Sequence, residues 1–135
     1  MGARTKARKR ALDVLFAAEM RGEDAVAALD AATAAGEAPN NPYTTTLVRG
    51  VAEHREEIDA TLTAHAQGWT LARMPAVDRN VLRLAVWEIL HAEDVDSAVA
   101  ISEALTLVGD LSTDDSPGFV NGVLSAVARD QRSAG

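Results

Sequence analysis

One stretch near the middle of the chain, DRNVLRLAVWEILH at residues 78–91, constrains the fold more than any other. Its residues favour helix throughout, but its apolar side chains surround most of the helix. A surface helix shows instead a single apolar stripe that repeats every three or four residues. The stretch therefore predicts a buried helix that other helices cover on several sides. Pro75 and Asp78 suit the N-terminal end of such a helix, where a missing N–H costs little and a negative charge is favourable.

The polar strip of this helix is narrow and contains two cations one turn apart, Arg79 and Arg83. Like charges at this spacing repel each other, so we expect solvent or an acidic partner to face them. Arg83 also lies one turn before Trp87, which leaves two alternatives. Its guanidinium stacks on the indole, or it contacts a partner.

A chain of 135 residues is long enough to form one domain without disulfides or metals. Because 47% of the residues are hydrophobic and only 4% are aromatic, the core must consist mainly of Ala, Val and Leu, which favours close helix packing. The absence of cysteine excludes thiolate metal sites and cysteine chemistry. We find neither a signal peptide nor a run of about 18 apolar residues, so a soluble cytoplasmic protein with no membrane contact is expected.

The charge is distributed unevenly. Five of the 13 Lys and Arg residues lie in the first ten positions, which leaves 8 against 20 Asp and Glu in the rest of the chain. These five residues, which we call the basic arm, are Arg4, Lys6, Arg8, Lys9 and Arg10. A polyanion should be drawn to the arm and not to the acidic remainder. Cations at the start of a helix oppose its dipole, so we expect the arm to fray when unbound, and a solvated tail is the alternative to a binding element.

Helical periodicity and capping signals account for the rest of the chain as about seven helices, with no alternating strand pattern. The predicted helices cover about 4–20 and 24–35, then a region after Asn41 that breaks near 54–56, then 78–91, a helix that Gly109 closes, and a last helix that begins near Asp115 to Pro117. We expect a disordered tail from Arg129, including residues 130–135.

Catalytic and metal sites have little support. The three histidines, His54, His65 and His91, are isolated in the sequence and are expected at the surface. No glycine-rich phosphate loop is present, and Ser102 beside Glu103 has no histidine base nearby in the sequence. We therefore expect no catalytic residue, no metal and no cofactor, and the chain is interpreted as a binding protein.

Three blocks together resemble the NusB family of transcription antitermination factors. They are the basic arm with ALDVLFAAEM (11–20), then DRNVLRLAVWEIL with VAISEAL (99–105), and finally FVNGVL (119–124). Their order and spacing cover nearly the whole chain. The resemblance implies an all-helical fold of two small bundles that share a central helix, within a single RNA-binding domain over 1–135, and no catalytic activity.

The resemblance also implies partners. Such proteins bind the single-stranded boxA element of ribosomal leader RNA, pair with the small-subunit ribosomal protein NusE, and act in the antitermination complex of RNA polymerase. It assigns the basic arm to RNA, together with Phe16, Asp115 and Phe119, and it assigns Asp78, Arg79 and Arg83 to the ribosomal protein. From helical spacing alone, core packing is favoured for both phenylalanines; an exposed ring could instead stack on a base.

The sequence departs from the family at Gly109 and Gly118, where lysines are common, so the arm must contribute more of the RNA contact. Trp87 and Ser102 replace a common Tyr and Asn, and we expect these changes to be tolerated. Two other functions stay open: a homodimeric helical interaction scaffold, and an RNA-targeting module like that of ribosomal RNA methyltransferases, although the chain is too short to include their catalytic domain.

Overall fold

The protein is described by a computed structural model that covers residues 2–134, and this part of the chain is helical with no strand. Its helices are α1 (Ala3–Arg21), α2 (Ala25–Ala34), α3 (Pro42–Glu53), α4 (Arg55–His65), α5 (Ala76–His91), α6 (Ser97–Leu111) and α7 (Ser116–Ala134). A short 3-10 turn, Leu71–Arg73, precedes α5. The prediction of an all-helical fold with about seven helices is confirmed. No helix of residues 2–134 has the length and apolar character needed to cross a membrane.

Local signals in the sequence set several of the helix ends. The carboxylate of Asp24 accepts a hydrogen bond from the backbone N–H of Ala27 at 3.1 Å and caps α2. The Asn41 side-chain oxygen accepts from the N–H of Tyr43 at 2.9 Å where α3 begins. Gly22, which follows α1, has a φ of 67°, a conformation that a side chain disfavours. The predicted starts of α2 and α3 and the predicted break between α3 and α4 are confirmed.

Two predicted ends are wrong. Helix α6 continues through Gly109 to Leu111, because Gly109 does not adopt the left-handed conformation that would close a helix there. The C-terminal tail is not disordered from Arg129, because α7 continues to Ala134; residue 135 lies outside the described part. Val127 and Ala128 are buried, so apolar packing holds α7 as far as these residues, and the exposed residues 129–133 continue the helix beyond them.

The contacts divide the chain into two units, residues 1–53 and 54–135. In the first unit α1, α2 and α3 pack against one another. Leu12, Leu29 and Leu47 are buried there, as the small aliphatic composition predicts. A buried hydrogen bond of 3.1 Å from the Thr44 hydroxyl to the Ala7 carbonyl ties α3 to α1.

In the second unit α5 packs against α4, α6 and α7. Every residue from Asn80 to Ile89 is buried, including the four consecutive residues Val81 to Leu84 that point in all directions around the helix. The prediction that other helices cover this stretch on several sides is confirmed. The buried carboxylates, amide and guanidinium of α5 therefore need partners from the neighbouring elements.

The extended α7 also contacts α4 through a histidine. His65 Nδ1 lies 2.7 Å from the Thr61 carbonyl, and His65 Nε2 lies 2.5 Å from a carboxylate oxygen of Asp130. The Thr61 carbonyl and then the Asp130 carboxylate raise the pKa of His65, because both accept hydrogen bonds from the protonated ring. A raised pKa in the folded state means that the contact stabilises the fold fully below the unfolded-state pKa of about 6.5 and loses that effect as the pH rises through the folded value.

We predict that Asp130→Asn lowers the free energy of unfolding at about pH 6 and has little effect at about pH 9, where the ring is neutral. Urea denaturation at the two pH values measures the difference. Asp110→Asn, which removes an exposed carboxylate near the end of α6, is the matched control. An Asp130 effect that is the same at both pH values, or that equals the control, would contradict the prediction.

Candidate nucleic-acid interface

The basic arm lies on α1, which begins at Ala3, so the arm is part of a helix and not an extended tail. Helical geometry separates its five cations into different directions, because residues four apart share a face and adjacent residues do not. Arg8 is buried, whereas the other four cations are exposed. The five cations of the basic arm therefore differ in the direction they face and in their exposure to solvent.

Arg4 and Arg8, one turn apart, both approach the ring of Tyr43 on α3. The guanidinium carbon of Arg4 lies 4.3 Å from the ring centroid and that of Arg8 lies 5.7 Å from it, which is within the range of cation–π attraction. Arg8 has only 4% of its surface exposed, so it holds α1 against α3 more than it offers a charge to a ligand.

Lys6 and Arg10 share a different face and line a groove of about 530 Å³ between α1 and the loop before α3. The opposite wall contains Pro39, Asn40 and Asn41. Asn41 is held in place, because its amide nitrogen donates to the Ala3 carbonyl at 3.2 Å. This groove combines two cations with polar amide groups, a composition that suits phosphate and the polar edges of bases.

Lys9 points away from that groove and lies 3.2 Å from a carboxylate oxygen of Asp13, one turn later on α1. Both side chains are about half exposed, so water and salt screen the pair and a polyanion can compete for Lys9. Phe16 is half-buried on the same helix. The core interpretation of Phe16 is therefore only partly correct, and part of its ring remains accessible.

The second unit contains an accessible aromatic pair. The Trp69 and Phe119 ring centroids lie 5.3 Å apart with an interplanar angle of 37°, and 46% of the Trp69 surface is exposed. Phe119 is half-buried, and Asp115, one turn earlier, is exposed. Trp69 is not among the residues predicted from the sequence, and it lies in the loop between α4, which ends at His65, and the 3-10 turn. The exposed indole is thus a surface group and not a core residue.

Asp78 lies at the centre of a buried polar cluster. Its two carboxylate oxygens accept hydrogen bonds from the Ser112 hydroxyl at 2.5 Å and from the Ser116 hydroxyl at 2.8 Å. Only 2% of Asp78 is exposed. The carboxylate therefore joins the start of α5 to the turn between α6 and α7, and it is not presented to a partner as its assignment implied.

Arg83 and Arg79 are likewise used within the second unit. Arg83 is buried and forms two hydrogen bonds with the Asp59 carboxylate, at 2.9 and 3.2 Å. Arg79 is half-buried, and its guanidinium donates to the carbonyls of Leu71 and Met74, which fixes the turn before α5. The expectation that solvent or an acidic partner faces both arginines is wrong for Arg83. The buried charge of Arg83 pairs with Asp59, a partner that neither of the two alternatives for this residue included.

Comparison with known sequences agrees with this architecture. The sequence model of the NusB family matches residues 5–129. The chain belongs to the NusB family. A NusB relative from a Nocardioides species, named transcription antitermination protein NusB, is 66% identical over 133 residues, which are 98% of each chain. The family is not enzymatic, and the prediction of an antitermination protein without catalytic activity is confirmed.

Solved NusB structures share the fold. The structure of T. maritima NusB superposes with a TM-score of 0.84 at 31% identity and covers 96% of this chain and 92% of that one. A structure described as the antitermination factors NusB and NusE in complex with dsRNA superposes with a TM-score of 0.80 at 29% identity, with 94% and 96% covered. The NusB fold inferred from the three sequence blocks is therefore confirmed.

We predict that Asp78→Ala lowers the free energy of unfolding by about 2–4 kcal/mol, because two hydroxyls lose their acceptor in a buried position. Asp114→Ala removes an exposed carboxylate from the adjoining turn and should change stability by no more than about 0.5 kcal/mol. Chemical denaturation of both variants measures the effect. If Asp78→Ala left stability unchanged but abolished partner binding, Asp78 would be a partner contact after all.

Proposed function

We propose that this NusB-family protein binds the single-stranded boxA element of ribosomal leader RNA through the basic arm and pairs with the ribosomal protein NusE. It would thereby join the antitermination complex of RNA polymerase in the cytoplasm. The single observation that carries the RNA part of the proposal is the groove beside α1, which Lys6 and Arg10 line. The solved complex of NusB with NusE and dsRNA provides a precedent within the family for binding RNA together with NusE.

The arm supports the proposal because it combines positive charge with a defined shape. Lys6 and Arg10 are exposed on one side of a helix, and Arg4 is held beside the Tyr43 ring, so the chain loses little further freedom when these groups meet phosphates. Unstacked bases can occupy the groove or lie against an accessible ring such as Phe16. The amide of Asn40, which the sequence analysis did not single out, adds a donor and an acceptor at the groove wall.

The C-terminal helices add little positive charge to such a site. Gly109 and Gly118 occupy positions where family members often carry lysine, and both are exposed with open space around the position of a Cβ. Nothing steric therefore explains these glycines. Because glycine carries no charge, these two positions support a binding mode in which the basic arm provides most of the phosphate contacts.

The charge of the two units supports separate surfaces for RNA and protein. Residues 54–135 contain 13 acidic and 6 basic side chains, a net −7, whereas residues 1–53 contain 7 of each. A basic ribosomal protein would be attracted to the acidic second unit and would not compete for the arm. Because Asp78 and Arg83 are buried, we assign the contact to exposed acids such as Glu93 and Asp96 before α6. In this proposal, Asp78, Arg79 and Arg83 stabilise the packing inside the second unit.

A homodimer is the second candidate assembly, and one observation favours it. Val99 and Leu111 are 46% and 42% exposed on α6, and a shallow apolar surface on the same helix is lined by Ile101 and Leu105. Exposed apolar area of this kind can be covered by a second copy. Light scattering, with and without RNA and NusE, distinguishes a homodimer that dissociates on binding from a scaffold that ignores both ligands.

We predict that binding of boxA-like RNA weakens with salt with a log–log slope of about −3, at about −0.7 for each phosphate contact. The double variant Lys6→Gln/Arg10→Gln should reduce this slope by about 1.4 and weaken binding by about a hundredfold or more, because two charge-assisted contacts are lost. Fluorescence anisotropy with labelled RNA across a salt series measures both quantities.

The matched control for the arm is Arg21→Gln/Arg73→Gln, which removes the same charge from exposed positions outside it. This control should keep the wild-type slope. A shuffled RNA tests whether the sequence of the strand matters. If the arm variant and the control behave alike, or if affinity is insensitive to salt, the RNA would have to bind elsewhere.

We predict that Glu93→Gln/Asp96→Asn slows association with NusE and reduces its salt dependence, because the two carboxylates attract a basic partner. Surface plasmon resonance gives the association rate. Glu23→Gln/Glu37→Gln, which neutralises two exposed acids of the first unit, is the control and should leave this rate unchanged. Equal rates for wild type and both variants would exclude the acidic turn as the docking surface.

A further inference from the structure

Two histidines and a glutamate that are far apart in the sequence lie together in the second unit. His54 directly precedes α4, Glu57 lies in the first turn of α4, and His91 is the last residue of α5. A carboxylate oxygen of Glu57 lies 2.6 Å from His91 Nε2 and 3.5 Å from His54 Nδ1. All three potential ligand atoms lie within 4.8 Å of one another. These histidines are isolated in the sequence, because His91 belongs to another helix than Glu57.

The donor set matches a borderline transition metal. Imidazole nitrogen and carboxylate oxygen bind Zn²⁺ at about 2.0–2.1 Å, so adjacent ligands of a tetrahedral ion are separated by about 3.3 Å. The two distances to Glu57 lie on either side of this value. Side-chain rotations of His54, Glu57 and His91 would exchange their present contacts for bonds to a shared ion.

The two imidazoles are already arranged together. Their ring centroids lie 3.9 Å apart with an interplanar angle of 25°, and the Trp87 ring lies 6.5 Å from that of His91. Trp87 is buried, so it provides a fixed wall beside His91. A metal ion lies near the plane of each imidazole that binds it, so the His54 and His91 rings would have to rotate out of this stack to share one ion.

The cluster is also accessible. The His54, Glu57 and His91 side chains are 38%, 52% and 28% exposed, so an ion can enter from solvent and can keep water in its fourth position. The Arg83 and Asp59 pair nearby on the same two helices differs, because the Arg83 side chain is only 6% exposed and the Asp59 carboxylate is already committed to its guanidinium.

We propose that His54, Glu57 and His91 form a Zn²⁺ site with three protein ligands and one open position. The ion would link the start of α4 to the end of α5. It would thereby stabilise the second unit independently of RNA and NusE, since no residue of the basic arm takes part. The alternative is that Glu57 only forms hydrogen bonds with the two histidines, and this is an outcome of the test.

The test uses the full chain without an affinity tag and after treatment with a chelator. Isothermal titration with Zn²⁺ should give one ion per chain, and Co²⁺ should give the visible absorption bands of a four-coordinate site with nitrogen and oxygen ligands. His54→Gln, Glu57→Gln and His91→Gln should each reduce the affinity at least about tenfold, as expected when one of three ligands is removed. Circular dichroism verifies that each variant is folded.

The chain supplies its own control in His65→Gln. This third histidine contacts the Thr61 carbonyl and Asp130 and lies outside the cluster, so its replacement should leave Zn²⁺ affinity and stoichiometry unchanged. At about a hundredfold excess of Zn²⁺ over Kd, the wild-type Tm should rise by roughly 5–10 °C, and the rise should disappear in His91→Gln.

Three results would overturn the proposal. The wild-type chain takes up no Zn²⁺ in a saturable manner, or the cluster variants bind it as well as the wild type does, or His65→Gln is the variant that abolishes binding. In the first case, a loss of stability in Glu57→Gln without metal would identify the cluster as a hydrogen-bonded group only.

Discussion

The burial of α5 determines the organisation of the second unit. A helix whose apolar side chains surround its axis gains stability only if several neighbours exclude water from it, at about 25 cal/mol for each Å² of apolar surface. Helices α4, α6 and α7 fulfil this role. The same burial removes water from the polar residues of α5, and each of these needs a fixed partner. Asp78 is satisfied by Ser112 and Ser116, and Arg83 is satisfied by Asp59.

The sequence was sufficient to predict the helices, because their signals are local. Asp24 and Asn41 bond to backbone groups two or three residues away, and the apolar pattern of residues 78–91 requires no knowledge of its neighbours. The C-terminal ends of α6 and α7 were harder to predict from the sequence. Gly109 closes a helix only if the chain adopts a left-handed turn there, and whether α7 continues past Val127 depends on packing against other helices.

The candidate sites were predicted less well, because they depend on pairs that are distant in sequence. Arg83 and Asp59 are 24 residues apart, and His91 and Glu57 are 34 apart, so no spacing rule could join them. The family resemblance located the basic arm and the surfaces of interest, but it could not distinguish a residue that contacts a ligand from one that supports the site. Burial supports the second role for Arg8, Asp78 and Arg83, all of which lie inside the protein.

The positions of the aromatic residues have a practical consequence for following the unfolding of this protein. Both tryptophans, Trp69 and Trp87, belong to residues 54–135, and the single tyrosine, Tyr43, belongs to residues 1–53. Tryptophan fluorescence, when it is excited selectively, therefore reports on the unit of residues 54–135. Far-ultraviolet circular dichroism reports on the helices of both units. Coincident transitions by the two signals would establish that the units melt cooperatively, and separated transitions would give each unit its own stability.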